Sequence, residues 1–195
     1  MSTNAALCPE PPPAPARTPA PAPAAAAPPA AAAPVPGRPP ARPTPAAALH
    51  SIAAATTVLL ALVAIGAMIH EPVLIPPLAA SAALVHSAPT LPLAQPRGVI
   101  VGHLVGSAVG YAVLAAAGSS GWAAAVAAGL TLAVNMAART PHSPAVATAV
   151  IVVLQTPAPE WFVPLLFGAT VLLVLTGYAA SRVRRTAPRY PAYWW

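Results

Sequence analysis

The residues best suited to chemistry are crowded into the stretch from Ala138 to Leu154. Arg139, Thr140, His142 and Ser143 fall within five positions, between a long apolar run and a shorter one. Ionisable groups between hydrophobic segments are costly to place in a membrane protein, so such a cluster indicates a substrate or ion site. An arginine beside a span can also serve only to set topology, and the sequence leaves that alternative open.

The start of the second apolar run has the pattern of a helix beginning. Ser143 is a good N-cap, and Pro144 is favoured in the first helical turn. A helix start carries unpaired N–H donors and partial positive charge. Together with Arg139, it predicts a seat for a small oxyanion.

A polar stripe precedes this cluster. Thr131, Asn135 and Arg139 are spaced by four residues and so share one face of a predicted helix. The stripe predicts the wall of a polar path. The alternative, which stays open, is hydrogen bonding between helices by Thr and Asn.

A ridge of small residues marks another helix. Gly102, Gly106 and Gly110 recur at a spacing of four, which lets a second helix approach closely. His103 and Ser107 run beside this ridge, so His103 is predicted to point toward the helix contact. There it either binds a substrate or a proton, or bonds a neighbouring helix.

Other chemistries find little support. No two histidines stand three or four residues apart on one helix, so no metal site and no cofactor are predicted. Cys8 lies alone in a low-complexity tail. There is no Ser-His-Asp set, phosphate loop or pair of carboxylates, and the chain is therefore not expected to be an enzyme.

The bulk composition predicts an integral membrane protein. The chain is 57% hydrophobic and only 6% charged, whereas globular domains carry about a quarter charged residues. Its nine basic residues, all arginine, give a net charge of +6 with three glutamates. They lie in the tails and at span ends, which favours the lipid bilayer as partner and excludes a nucleic-acid-binding module.

Three regions follow from the composition. Residues 1–46 are almost entirely Pro and Ala, which predicts a disordered, locally polyproline-II tail. Residues 47–182 form the predicted transmembrane domain. Residues 183–195 combine arginines with Tyr and Trp, which is typical of an anchor at the membrane interface.

The transmembrane domain is predicted to be an all-α, polytopic helical bundle. Four segments are long enough to be transmembrane helices, and two are shorter and interrupted by proline. In chain order the predicted segments are Ala48–Ile69, Pro72–Thr90, Gly98–Ala117, Trp122–Ala138, Ser143–Leu154 and Trp161–Ser181.

The arginines favour six crossings of the cell membrane, with both termini cytoplasmic. Arg97 and Arg139 then lie inside, and Glu71 and Glu160 lie outside. If the two short segments only dip into the bilayer, the chain crosses four times and both arginines lie outside. The segment order long, interrupted, long occurs twice, which predicts an inverted repeat of three segments with a site between its halves.

Two stretches resemble the signature sequences of the HPP family of integral membrane proteins. They are LPLAQPRGVIVGH, from Leu91 to His103, and ARTPHSPAVATAV, from Ala138 to Val150. The family's His-Pro-Pro motif would correspond to His142-Ser143-Pro144, with serine in place of the middle proline. The resemblance implies a bundle described as having four transmembrane helices, and Ala145-Val146-Ala147 departs from the family's usual Ala-Gly-Ala.

The resemblance also implies a function, because plastid and cyanobacterial members are linked to nitrite transport. We therefore expect translocation of a small inorganic anion, with nitrite as the candidate. The predicted binding residues are listed together: Arg97, His103, Asn135, Arg139, Thr140, His142 and Ser143. The rival hypothesis is a scaffold or sensor that acts through a protein partner. A homo-oligomer is compatible with the small volume of six short helices, and the sequence specifies no number of copies.

Overall fold

The computed structural model describes residues 41–183 and 188–194, and these residues are helical throughout the predicted membrane domain. The helices are α1 Pro45–Ile69, α2 Pro76–Ser87, α3 Pro96–Ala117, α4 Gly121–Ala137, α5 Ser143–Gln155 and α6 Pro159–Val183. A short 3₁₀ turn, Pro92–Ala94, lies between α2 and α3. The described residues contain no strand, and the all-α prediction is confirmed.

The helix lengths correct the prediction of four long spans. Three helices, α1, α3 and α6, are long and apolar enough to cross a membrane. Helix α4 has 17 residues and measures about 25 Å at a rise of about 1.5 Å per residue, short of the roughly 30 Å hydrocarbon layer. Its end is set by a turn at Ala138 and Arg139, which the apolar run alone does not reveal.

Proline determines where most helices begin. Thr44 caps α1 by accepting the Ala47 N–H at 3.3 Å, and Pro45 is the first helical residue. Two residues of the predicted tail therefore belong to α1, and the rest of that tail up to residue 40 lies outside the described residues. Helix α2 starts at Pro76 instead of Pro72, because the chain is extended before it.

Contacts between helix ends show that successive helices run in opposite directions. His50 Nε2 lies 3.1 Å from the Ala180 carbonyl oxygen, which brings the start of α1 beside the end of α6. Arg97 Nη2 donates to the Ala138 carbonyl at 2.7 Å, so α3 begins where α4 ends. At the opposite end, the Tyr111 hydroxyl donates to the Pro157 carbonyl at 3.1 Å. The bundle thus has an arginine end, with Arg97, Arg139 and Arg182, and a glutamate end, with Glu71 and Glu160.

The centre of the bundle is the contact between α3 and α5. A Cβ on Gly102 would lie 2.9 Å from His142 Cβ, and one on Gly110 would lie 2.8 Å from Val152 Cβ. A Cβ on Gly106 would collide with the carbonyl group of Ala145. The ridge therefore faces α5. The two helix backbones come closer together than a side chain at these three positions would allow.

The described part of the carboxyl-terminal segment packs partly against the bundle. Tyr190 is 1% exposed and packs against Gly177 of α6. Gln95 Oε1 accepts the N–H groups of Ala192 at 2.9 Å and Tyr193 at 3.4 Å. The segment is therefore held against the arginine end, because the buried Gln95 side chain accepts hydrogen bonds from its backbone N–H groups.

Burial raises the pKa of the Tyr190 hydroxyl, so the group stays protonated. Tyr193 and Trp194 remain exposed, as an interface anchor requires, and Arg184 and Arg185 lie outside the described residues.

The alternating directions predict six membrane passes, and cysteine labelling tests them. In a chain with Cys8→Ser, cysteines at the exposed positions Ser119, Ser143 and Ala158 are reacted with an impermeant maleimide from either side. Residues 119 and 158 should react from one face and residue 143 from the other. Labelling of residues 143 and 158 from the same face would instead show that α5 does not cross.

The glycine ridge predicts opposite effects for two Gly→Ala substitutions. Gly106→Ala should lower the free energy of unfolding in detergent by about 1–3 kcal/mol, because the new methyl group meets the Ala145 carbonyl. Gly129→Ala is the matched control, since nothing lies within 4 Å of a Cβ there and alanine favours the helix. Equal stabilities of the two variants would contradict close α3–α5 packing.

Candidate functional site

Two of the predicted site residues meet in the interior of the bundle. His103 Nε2 and His142 Nε2 lie 3.2 Å apart, with their rings edge to face at 4.8 Å between centroids. The His103 side chain is fully buried, and that of His142 is 3% exposed. His103 lies seven residues into α3, about 10 Å along the axis from its start at the arginine end. The pair is thus inside the apolar layer.

Two hydroxyl residues that the sequence analysis missed complete this site. The Ser81 Oγ of α2 lies 2.8 Å from the Nε2 of both histidines and 2.9 Å from the Pro77 carbonyl oxygen. The Thr148 Oγ1 of α5 lies 2.7 Å from His103 Nδ1, and both hydroxyl residues are fully buried. Each is a small polar residue near the middle of a short apolar helix, which is the signal that could have found them. We call Ser81, His103, His142 and Thr148 the histidine cluster.

The turn between α4 and α5 aims His142 into the cluster. Helix α4 ends in a Schellman turn, with Arg139 N–H bonded to the Met136 carbonyl at 3.2 Å and Thr140 N–H bonded to the Asn135 carbonyl at 2.9 Å. Arg139 takes the left-handed conformation there, with φ 56°. The chain is then extended to His142, whose Nδ1 lies 2.7 Å from the Leu93 carbonyl oxygen. This bond fixes the orientation of the ring.

The same turn removes Arg139 from the predicted polar stripe. Because α4 ends at Ala137, Arg139 is not on the helical face shared by Thr131 and Asn135, and the prediction of one continuous row is wrong. Its side chain is exposed, whereas Thr131 and Asn135 are buried. Asn135 Oδ1 accepts the Thr140 hydroxyl at 3.0 Å, so Thr140 closes the turn from the inside. Thr131 Oγ1 and Asn135 Nδ2 are buried without a hydrogen-bond partner among the described residues.

The start of α5 also differs from the prediction. His142 is the N-cap residue, and Ser143 is the first helical residue, exposed and without a capping hydrogen bond. Pro144 has no N–H, and the Ala145 N–H is bonded to the His142 carbonyl at 3.1 Å. Few free backbone donors therefore remain for the predicted oxyanion seat at this helix start. Arg97 lies nearby at the arginine end, half-buried, with one guanidinium nitrogen on the Ala138 carbonyl.

No residue of the histidine cluster lines the main cavities of the described residues. One of about 170 Å³ opens at the glutamate end, where its lining includes Glu71, Trp161 and Leu78. Leu78 is one helical turn from Ser81 on α2, so this cavity reaches toward the cluster from that side. Across residues 41–183 and 188–194, no group of three His, Cys, Asp or Glu side chains converges on a metal position.

The fold and the buried cluster together define a polytopic helical membrane protein with a polar site in its interior. Residues 40–191 match the family described as HPP, transmembrane region, and the chain belongs to the HPP family. This confirms the resemblance seen around Leu91–His103 and Ala138–Val150. The matched residues contain the whole histidine cluster.

Two proteins similar to this chain are each described as a transmembrane protein. One from Dictyostelium discoideum is 34% identical over 133 residues, covering 63% of this chain and 46% of that protein. A second from the same organism is 33% identical over 127 residues, covering 60% and 40%. The chain thus spans less than half the length of these relatives. No solved structure matches it.

The left-handed conformation of Arg139 predicts an unusual order of stabilities. Arg139→Gly should be more stable to unfolding in detergent than Arg139→Ala by about 1 kcal/mol, because only glycine adopts this conformation without a Cβ clash. At exposed Ala147, in the interior of α5, the order should reverse, with the native alanine more stable than Ala147→Gly. The same order at both positions would contradict the turn described here.

Proposed function

We propose that this protein carries a small inorganic anion, with nitrite as the first candidate, across the membrane through the interior of the bundle. The observation that carries the proposal is the histidine cluster. Its four polar side chains are at most 3% exposed and come from three different helices. A bundle of apolar helices does not need such a cluster in order to fold, and polar groups at this depth usually mark a path for a substrate or an ion.

The charge distribution favours an anion over a cation. Arg97, Arg139 and Arg182 lie at one end of the bundle, and Glu71 and Glu160 lie at the other, so no carboxylate neutralises the arginines within the described residues. An uncompensated positive end raises the local concentration of anions. In this proposal, exposed Arg139 and half-buried Arg97 attract the anion, and the buried cluster receives it.

The internal repeat supports a transporter architecture. Three pairs of similar residues are separated by the same number of positions in the sequence, and this separation is the offset between the two halves. The pairs are Pro77 and Pro144, Ser81 and Thr148, and Val85 and Val152. Each pair holds matching positions in α2 and α5, which run in opposite directions. Two inverted halves that meet at short, proline-started helices are a recurring design of secondary transporters, with the substrate site between the halves.

Contacts between helices obey the same offset. It also takes Gly110 of α3 to Gly177 of α6. A Cβ on Gly110 would touch Val152 of α5, and a Cβ on Gly177 would touch Val85, the equivalent residue of α2. These two matched contacts support an inverted pair of three-helix units.

The two halves differ at the cluster itself. The positions equivalent to His103 and His142 are Thr170 and Ile75, so each half supplies one histidine at a position that holds no histidine in the other half. Both halves supply a hydroxyl, Ser81 and Thr148, and these flank the histidine pair. The cluster is therefore a single asymmetric site at the junction of the halves, which suits one anion for each transport cycle.

The scaffold hypothesis depends on the amino-terminal tail, most of which lies outside the described residues. No contact in the described part of the chain favours it over transport. Exposed apolar side chains such as Trp122 and Met68 lie on helices that face lipid, where they need no protein partner.

Transport is tested by nitrite uptake into proteoliposomes that contain the full chain. The unmodified protein should take up nitrite well above the leak of empty liposomes, and His142→Ala should lose at least about tenfold, because it removes a ring bonded to Leu93 and Ser81. Ser107→Ala is the matched control, since this buried hydroxyl on α3 only bonds the Leu104 carbonyl of its own helix. It should keep most of the flux.

Uptake no faster than in empty liposomes, for nitrite and for competing nitrate, formate and chloride, would refute anion transport. Equal losses in His142→Ala and Ser107→Ala would show that the cluster has no special role in the flux.

A further inference from the structure

We propose that the histidine cluster also binds one proton, and that this proton crosses the membrane together with the anion. The inference rests on the proposed function, because it names the ion that accompanies the substrate. It is carried by the hydrogen-bond geometry of Ser81, His103 and His142, and by the absence of a carboxylate around them in the described part of the chain.

The geometry assigns the hydrogens of His142. Its Nδ1 lies 2.7 Å from the Leu93 carbonyl oxygen, which can only accept, so Nδ1 carries the hydrogen. In the neutral ring Nε2 is then an acceptor. This nitrogen lies 2.8 Å from Ser81 Oγ and 3.2 Å from His103 Nε2, and it is free to take a proton.

The hydrogens of His103 follow from those of His142. Two acceptor nitrogens would repel each other at 3.2 Å, so His103 Nε2 carries its hydrogen and points it at the pair formed by His142 and Ser81. His103 Nδ1 is then an acceptor, and the Thr148 hydroxyl donates to it at 2.7 Å. Both rings are neutral in this arrangement, and every nitrogen has a partner.

Ser81 lets the cluster accept one more proton without losing a hydrogen bond. In the neutral arrangement its hydroxyl donates to His142 Nε2, and the Pro77 carbonyl lies within reach at 2.9 Å. When a proton binds to His142 Nε2, the hydroxyl turns to Pro77, and its oxygen accepts from both imidazole N–H groups. The change needs the rotation of one O–H bond.

A second added proton is opposed by electrostatics. Both histidines would then be cations with ring nitrogens 3.2 Å apart in an apolar interior, where repulsion between like charges is strong. The cluster therefore takes up one proton, which His142 Nε2 holds while the His103 ring stays neutral.

Other titratable groups lie at a distance along the elements that pack around the cluster. Helices α4 and α5 carry none, and α2 carries only His86, beyond Ser81. Helix α3 has Arg97 at its start and Tyr111 near its end, and Arg139 lies on the connection before His142. Helix α1 has His50, which bonds Ala180, and the connection before α2 has His70 and Glu71 at the glutamate end. Helix α6 has Glu160, Tyr178 and Arg182.

No carboxylate is therefore available to pair with a protonated cluster. An unpaired charge in an apolar interior costs several kcal/mol, as a rule, and an anion bound beside it removes much of that cost. By linkage, a bound anion favours protonation, and a bound proton favours the anion to the same degree. Proton and anion then bind and move as a neutral pair, with no bond broken other than that of the transferred proton.

Coupled flux is the first test. Proteoliposomes holding the full chain and an internal pH-sensitive dye are given an inward nitrite gradient at equal pH, with the membrane potential set by potassium and valinomycin. Nitrite entry should bring in protons at close to one per anion, and the rate of nitrite entry should not depend on the membrane potential.

Empty liposomes measure the passive leak of nitrous acid, and Ser107→Ala is the matched control. His142→Gln keeps an N–H donor but cannot titrate, and should lose at least about tenfold of the coupled proton flux.

Nitrite flux that follows the membrane potential and carries no proton would overturn the coupling and leave anion transport standing. If no nitrite moves, the proposed function fails, and proton binding is decided by a measurement that needs no transport.

That measurement is ¹⁵N NMR of histidine-labelled protein in nanodiscs, with and without nitrite. It should show His142 as the Nδ1–H tautomer and His103 as the Nε2–H tautomer, and a doubly protonated His142 beside a neutral His103 when acid and nitrite are added. Ser81→Ala should suppress the protonation of His142, because it removes the oxygen that accepts the new N–H, and Ser107→Ala should preserve it. A proton on His103 instead of His142, or two rings that both stay neutral down to pH 4 with nitrite present, would overturn the proposal.

Discussion

The close approach of α3 to α5 is the constraint on which the rest of the bundle depends. In lipid, helices gain little from burying apolar side chains against one another, so contact between them relies on close packing and on polar bonds. Three glycines of α3 provide the first, and the bond from His103 to Thr148 provides the second. Since Gly102 leaves room for the Cβ of His142, the same packing brings the two histidines together. The packing of α3 against α5 and the histidine cluster therefore depend on the same glycines.

Proline shapes the site by taking donors away from the helix starts. Helix α5 has Pro144 in its first turn, and α2 begins with Pro76 and Pro77. A helix start with free N–H groups would attract anions by itself. Here prolines and the bonds of Ala145 and Leu78 to the preceding carbonyls leave few donors free. The polar interior of this bundle is consequently made by side chains, and neutral imidazole and hydroxyl groups replace backbone amides.

Charge is distributed so that the interior stays neutral. The arginines gather at one end and the glutamates at the other, while the described helices carry no carboxylate at the level of the cluster. A neutral site of this kind costs little to bury because each polar atom has a partner, and it gains charge only when a proton arrives. The carboxyl-terminal segment, held by Gln95 and Tyr190, lies at the same end as the arginines and adds no counter-charge in its described residues.

The sequence by itself determined the membrane class, the six helical segments and the family, and it singled out His103 and His142 as candidate site residues. Composition decides whether a chain enters lipid, and apolar runs broken by proline decide where its helices begin. The sequence did not determine that α4 ends at Ala137, because a left-handed arginine has no local signature. For this reason it did not show that Arg139 lies outside the row of Thr131 and Asn135. Nor did it show Ser81 and Thr148 as partners of the histidines. Only the tertiary structure decided that, because hydrogen bonds between helices depend on how α2, α3 and α5 are rotated against each other, which spacing along one helix does not specify.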